Sequence, residues 1–100
     1  MRPFRHPSCH NDETFLHFEE LANVPPQFRF QSTVNGTLYC WDVRELAIHF
    51  TTRRAAGQVP IYLNPVSNER FHPRTLSRLR HRFNALIARG VLPPVDGRYY

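Results

Sequence analysis

An Asn-Gly pair at positions 35 and 36 is the feature that most narrows what this chain can fold into. It separates two segments of alternating β-forming residues, 27–34 and 37–41. Because Asn-Gly favours the positive backbone angles of a two-residue turn, the sequence predicts a β-hairpin whose aromatic face belongs to the core. A turn of this length sets the cross-strand pairs Val34 with Thr37, Ser32 with Tyr39 and Phe30 with Trp41.

Two helices are predicted after the hairpin. Asp42 and Glu45 have the spacing of a capping box, so the first helix should begin there and run to about Arg54. The second should begin near Pro73 and end before Gly90. The apolar residues of the first are Val43, Leu46, Ala47 and Phe50, and those of the second are Leu76, Leu79, Phe83, Leu86 and Ile87.

The other segments are predicted to be less regular. Residues 1–13 show no hydrophobic period, so we expect a flexible arm that a partner orders. Residues 14–21 predict one or two helical turns before two prolines end them. Residues 58–63 predict a short extended segment, and residues 64–69 a loop rich in side chains that bond their own backbone.

The resulting fold class is a small single α+β domain over residues 14–90, followed by a proline-interrupted tail, 91–100. Its expected order is hairpin, helix, loop with a short extended segment, and C-terminal amphipathic helix. No apolar run reaches the roughly 18 residues that a membrane span needs, and the first residues lack an apolar signal core. With two cysteines and no dense disulfide framework, an intracellular protein, cytoplasmic or nuclear, is expected.

All 13 cationic residues are arginine, and their distribution is uneven. Residues 1–69 carry six arginines and seven acidic residues, net −1, whereas residues 70–100 carry seven arginines and one aspartate, net +6. On the second helix, four arginines fall within one face and form what we call the arginine ridge: Arg74, Arg78, Arg82 and Arg89. The ridge can bind phosphates of a nucleic acid, pair with carboxylates of a protein partner, or be a solvated face.

Metal binding and catalysis find little support in the sequence. The possible zinc ligands have no Cys-x-x-Cys pair among them, and Cys40 is expected to be a small hydrophobe within a strand. The glycines are isolated, so no loop of the phosphate-binding kind is present. We therefore expect no metal, no cofactor and no catalytic residue. The six candidate zinc ligands are His6, Cys9, His10, His17, Cys40 and His49.

Residues 35–87 resemble the second half of a U-box, the metal-free relative of the RING domain. Asn35-Gly-Thr-Leu-Tyr-Cys40 resembles the turn that leads into the central helix of such domains, and Asn64-Pro-Val-Ser67 resembles their proline loop. Residues 76–87 resemble the closing helix. Short modules in proteins of large DNA viruses have similar motifs.

The resemblance has implications for the site. The positions of RING metal ligands would be Asn35, Thr37, Cys40, Val43, Asn64 and Ser67, of which Cys40 alone could bind zinc, so hydrogen bonds among polar side chains would replace the metals. The family's surface for ubiquitin-conjugating enzymes would involve Val24, Pro25, His49, Pro65, Val66 and Asn68. Ubiquitin transfer is disfavoured, because Asn68 stands where active ligases often carry a cationic residue.

The sequence thus favours a small, basic, non-catalytic protein-protein interaction module. A component of a viral or other large assembly is one form of it, because a short core without a staple or metal gains stability from a partner. Two alternatives stay open: a nucleic-acid-binding protein that uses the arginine ridge, and a ubiquitin ligase module of the U-box type.

Overall fold

The computed structural model describes residues 9–93, so the start of the predicted arm and most of the predicted tail lie outside the described residues. The fold class is confirmed: an antiparallel hairpin precedes the helices. Among residues 9–93, no helix has the length and apolar content to cross a bilayer. The elements are two 3-10 helices, Leu21–Asn23 and Pro26–Phe28, strands β1, Arg29–Val34, and β2, Thr37–Asp42, and helices α1, Val43–Ala55, and α2, Pro73–Ala88.

The hairpin has the predicted register. Val34 pairs with Thr37, and Phe30 pairs with Trp41. The turn places Asn35 and Gly36 at φ 49° and 79°, the left-handed region that this pair tolerates well. On the buried face, Trp41 Nε1 donates a hydrogen bond of 2.8 Å to Ser32 Oγ, so the ring's one polar group is satisfied inside the core.

The chain divides into two compact units, Met1–Leu46 and Ala47–Tyr100, and the division falls within α1. In the first unit, apolar side chains of the hairpin, the 3-10 helices and the first turn of α1 are buried. This core consists of Leu21, Val24, Phe28, Phe30, Tyr39, Trp41, Val43 and Leu46.

The edge of β2 that does not face β1 is covered by residues 9–11, the end of the predicted arm. His10 N–H donates to Leu38 O at 2.7 Å. The Asn11 side chain accepts from Cys40 N–H at 3.0 Å and donates to Cys40 O at 2.8 Å, so it pairs with the strand edge as a short extra strand would. This part of the chain is therefore held by the sheet itself, which also protects an open strand edge.

Cys9 and Cys40 form a disulfide, with Cα atoms 6.0 Å apart. The expectation that Cys40 acts as a plain strand hydrophobe is wrong, although its full burial is as expected. Spacing in sequence did not indicate the bond, because the two cysteines are 31 positions apart and are brought together only by the path of the chain before the hairpin.

Residues 14–20 form a closed loop rather than the predicted helical turns. The Thr14 hydroxyl accepts from Glu19 N–H at 3.0 Å, which offers the backbone an alternative to helical bonding. The chain then enters the 3-10 helix Leu21–Asn23, where Leu21 is fully buried.

In the second unit, Phe50 lies at the centre of an aromatic cluster. Its ring makes edge-to-face contacts with the rings of Tyr62, Phe71 and Phe83 at centroid distances of 5.2, 6.1 and 6.3 Å. Such contacts add specific geometry to the burial of apolar area. α1 contributes Phe50 from the apolar face that the sequence predicted.

α2 begins at the predicted Pro73, and His72 Nδ1 accepts from Arg74 N–H at 3.1 Å as its cap. Its buried face is rotated from the prediction, since Leu76 and Ile87 are half-buried while Thr75 is buried. The predicted extended segment is a series of bends that ends in an isolated bridge between Leu63 and Arg70.

Candidate functional site

Loop L1, residues 14–20, is closed on itself by its own backbone. Thr14 N–H donates to Glu19 O at 2.8 Å, and Phe18 N–H donates to Thr14 O at 3.1 Å. An antiparallel bridge between Glu13 and Glu20 closes its base. Because Thr14 is buried and the Phe15 ring contacts the Trp41 ring at a centroid distance of 5.7 Å, the base of L1 is anchored in the first unit, while residues 16–19 are exposed.

Loop L2, residues 64–69, is built the same way. Asn64 N–H donates to Glu69 O at 2.8 Å, and Asn68 N–H donates to Asn64 O at 2.9 Å. The Asn64 side-chain oxygen accepts from Val66 N–H at 2.8 Å and Ser67 N–H at 3.0 Å. The expectation that this loop bonds its own backbone is therefore confirmed.

L1 and L2 match position by position. Each has a buried polar residue first, Thr14 or Asn64, whose N–H bonds the carbonyl five residues later and whose carbonyl accepts from the residue four later. That later residue has a positive φ in both loops, 55° at Phe18 and 60° at Asn68. L1 and L2 thus share one backbone conformation, in which the third residue of the loop lies at its tip.

The tips carry exposed apolar side chains. Leu16 and Val66 occupy the equivalent third position and are 38% and 42% exposed, and Phe18 on L1 is 69% exposed. Single exposed apolar residues are common on protein surfaces. Here they stand on loops that internal hydrogen bonds hold in shape, so little conformational entropy would be lost if a partner covered them.

The buried carboxylate of Glu45 accepts hydrogen bonds from the backbone at the tip of L1. Glu45, in the first turn of α1 and 2% exposed, accepts from Leu16 N–H at 2.9 Å and from His17 N–H at 3.3 Å. His17 Nδ1 also lies 3.1 Å from Glu45 Oε2. The capping-box prediction was that the Glu45 carboxylate would accept a hydrogen bond from the N–H at the start of its own helix. The tip of L1 offers it two N–H donors instead.

The other half of the predicted capping box is present. Asp42 Oδ1 accepts from Arg44 N–H at 2.9 Å, as a helix cap does. The Arg44 guanidinium also pairs with this carboxylate, which raises the pKa of Arg44, and stacks 4.2 Å from the centre of the Phe28 ring. Both groups are engaged within the first unit.

The predicted partner-binding residues differ in how far their side chains are exposed to solvent. Val24 is fully buried, so its assignment to a contact surface is wrong: the 3-10 turn that precedes it directs it into the core. Pro25 is exposed. Pro65, Val66 and Asn68 all lie on L2, where Pro65 is half-buried and the other two are exposed.

His49 is half-buried on α1. Burial lowers the pKa of its imidazole below the ordinary value of 6.5, the positive charge of Arg53 lowers it further, and a hydrogen bond with the Leu63 backbone acts in the opposite direction. These effects keep the ring neutral at physiological pH, which suits a packing role.

L1 itself was missed by sequence reasoning. A signal existed: Thr14 and Glu19 have the same separation as Asn64 and Glu69, each with an apolar residue two positions after the first. Comparison of the two segments with each other, rather than with helix and strand patterns, could have found it.

The positions implied by the RING resemblance do not form a metal site. Cys40 is bonded to Cys9, and Val43 is buried in the core. The Asn64 side-chain oxygen bonds the backbone of its own loop rather than another polar side chain, and Asn64 Nδ2 and Ser67 Oγ are buried without a hydrogen-bond partner within residues 9–93. Over that same range, no three His, Cys, Asp or Glu side chains gather as metal ligands would.

The arginine ridge is largely solvent-facing. Arg74, Arg78 and Arg89 are exposed, whereas Arg82 is half-buried because it borders the rotated apolar face of α2. Residues 47–93 contain eight arginines and one glutamate, net +7, and residues 9–46 contain six acidic residues and two arginines, net −4. The two units therefore carry opposite charge.

The second unit also has an open groove of about 450 Å³. Its apolar walls are formed by Pro60, Tyr62, Phe71, Pro73 and Leu76, and Arg70 and His72 supply its polar lining. The Arg80 guanidinium lies 4.9 Å from the centre of the Tyr62 ring, and Arg54 donates to the Tyr62 hydroxyl at 2.9 Å. The groove thus joins aromatic surface to positive charge.

Comparisons of the chain with protein-family models, with curated proteins and with solved structures found no match.

Proposed function

We propose that this chain is a non-catalytic protein-binding module whose contact points are the tips of L1 and L2. The observation that carries the proposal is the equivalence of the two loops, each of which holds an exposed apolar side chain on a hydrogen-bonded frame. Preorganised apolar tips bind with a small entropic penalty. A role as a component of a viral or other large assembly remains one form of this function, although the disulfide between Cys9 and Cys40 supplies the cross-link whose absence was the reason to expect such a role.

The resemblance to U-box domains supports the choice of L2 as a contact point. L2 contains Asn64-Pro-Val-Ser67, which resembles the proline loop that the family uses for ubiquitin-conjugating enzymes. Because Val24 is buried, we propose L1 in place of the region of Val24 and Pro25 as the other contact point. Asn68 weakens the case for ubiquitin transfer. Its φ of 60° favours asparagine over the cationic residue often found in active ligases.

Site-specific photocrosslinking tests the proposal. A photoreactive amino acid is placed at Leu16 or Val66, and at the exposed Ser77 on α2 as a control, and crosslinks are formed in extract from the native source. We expect one protein to be captured from both loop positions, not from position 77, and to be lost when the other loop tip carries Leu16→Glu or Val66→Glu. Equal capture at all three positions would refute the proposal.

Ubiquitin transfer is tested separately. A panel of ubiquitin-charged conjugating enzymes, mixed with the protein, should show little or no discharge. Robust discharge that Pro65→Ala abolishes would make the ligase alternative the better one.

Nucleic-acid binding is the second candidate, and the net charge of +7 over residues 47–93 favours it. The ridge places no aromatic side chain among its arginines for base stacking, which argues against single-strand recognition.

A further inference from the structure

Phe18 has two features that folding alone does not explain. Its backbone lies at φ 55°, a conformation in which a bulky residue is strained, and its ring is 69% exposed. At the equivalent position of L2 the chain has Asn68, a polar residue that tolerates this conformation. An aromatic side chain held exposed in a strained conformation indicates a binding role.

The surroundings of Phe18 are acidic. Glu19 and Glu20 follow it directly and are exposed, and residues 9–46 carry net −4. Because Phe18 N–H and Glu19 N–H are both bonded to Thr14, the aromatic ring and the carboxylates are presented by one fixed loop.

The groove of the second unit has complementary properties. Tyr62, Phe71 and Leu76 offer it apolar and aromatic walls, and a volume of about 450 Å³ leaves room for an aromatic side chain. Arg70 lines it, and Arg80 stacks on Tyr62. Arg54, which donates to the Tyr62 hydroxyl at 2.9 Å, adds a third cation beside this apolar surface.

We propose that the chain associates with itself head to tail: Phe18 of one copy docks in the groove of a second copy, and Glu19 and Glu20 face the arginines around it. Charge complementarity identifies the second copy as the occupant, since both the acidic apolar tip and the basic apolar groove belong to this chain. The proposal rests on the proposed function in that it uses L1 as a contact surface. A contact between two different surfaces joins copies into rings where the rotation closes and into open chains where it does not.

Sedimentation velocity over a series of protein concentrations, on nuclease-treated protein with the disulfide intact, tests the proposal. The average mass of the wild type should rise with concentration and fall with added salt, because the contact is small and partly electrostatic. Phe18→Asn removes the ring and suits the backbone, and Leu76→Glu places a charge in the groove. Each variant alone should remain monomeric.

The decisive measurement is an equimolar mixture of these two variants. One retains a groove and the other retains Phe18, so the mixture should form a heterodimer and nothing larger. Ile48→Gln, which alters an exposed apolar residue elsewhere, should associate as the wild type does. If Leu76→Glu fails to fold by circular dichroism, Arg70→Glu at the exposed groove rim takes its place.

Three results would overturn the inference: a wild type that is monomeric at all concentrations, a Phe18→Asn variant that associates normally, or a mixture that stays monomeric. Association that nuclease treatment abolishes would also overturn it and would favour nucleic-acid binding. None of these results affects the crosslinks from Leu16 and Val66 to a different protein, so failure of self-association and failure of the proposed function are distinguishable.

Discussion

The buried carboxylate of Glu45 accepts the backbone N–H of Leu16 at 2.9 Å and so ties the first turn of α1 to the tip of L1. A second N–H, that of His17, points to the same group. The apolar tip that we propose as a contact point is therefore positioned by a side chain that is itself buried.

Removal of this carboxylate should loosen L1 and destabilise the fold. Glu45→Ala is expected to cost about 2 kcal/mol in urea unfolding, because hydrogen bonds to a charged group are lost. Glu45→Gln keeps an acceptor oxygen and should cost less. Glu20→Ala, at an exposed position without a side-chain cap bond, is the control and should change stability little. Equal stability of all three variants would show that L1 does not depend on Glu45.

The disulfide between Cys9 and Cys40 should stabilise the first unit. Its sequence separation of 31 closes a long loop, and the chain-entropy model then gives about 3 to 4 kcal/mol. Cys9→Ser, or the wild type under reducing conditions, should unfold at correspondingly lower urea concentration. Reducing agent should leave the Cys9→Ser variant unchanged, and an equal response of both proteins would contradict the assignment.

Removal of the N-terminal cap of α1 should lower the free energy of unfolding by less than removal of the disulfide does. Asp42→Ala removes the acceptor for Arg44 N–H and should cost about 1 kcal/mol or slightly more. Asp42→Asn retains a capping oxygen and weakens the ion pair with Arg44, so it separates the two contributions. No measurable loss in the alanine variant would mean that the helix is capped by another group.

His49 should make stability depend on pH. Its pKa is lowered in the folded state, so the unfolded chain binds the proton more readily. Stability is then at its full value above about 6.5, the unfolded pKa, and decreases as pH falls from there through the lowered folded pKa. The difference in unfolding free energy between wild type and His49→Gln should therefore narrow as the solution is acidified over this window. A constant difference would contradict the prediction.

The arginine ridge is tested by salt dependence. If Arg74, Arg78 and Arg89 bind phosphates, each Arg→Gln change should reduce the slope of log affinity against log salt by about one unit. We expect only weak binding of DNA and RNA at physiological salt, because we favour carboxylates of a protein as the partners of the ridge. Submicromolar binding there, lost in the triple variant, would place nucleic-acid binding first.

The sequence by itself determined the features that depend on neighbours along the chain. Asn35 and Gly36 set the hairpin and its register, Asp42 set the start of α1, and Pro73 set the start of α2. In each case the controlling interaction spans a few residues, so backbone preference and hydrogen-bonding chemistry were sufficient to predict it.

Tertiary structure decided the features that depend on distant residues. The chain before the hairpin folds back against it, and three features follow from this path. They are the disulfide between Cys9 and Cys40, the hydrogen bond from Leu16 N–H to Glu45, and the burial of Val24. Residues 14–20 form a closed loop instead of helical turns, and the acceptor for the N–H groups at its tip is the carboxylate of Glu45, 29 residues after Leu16. No local pattern encodes a partner at that distance.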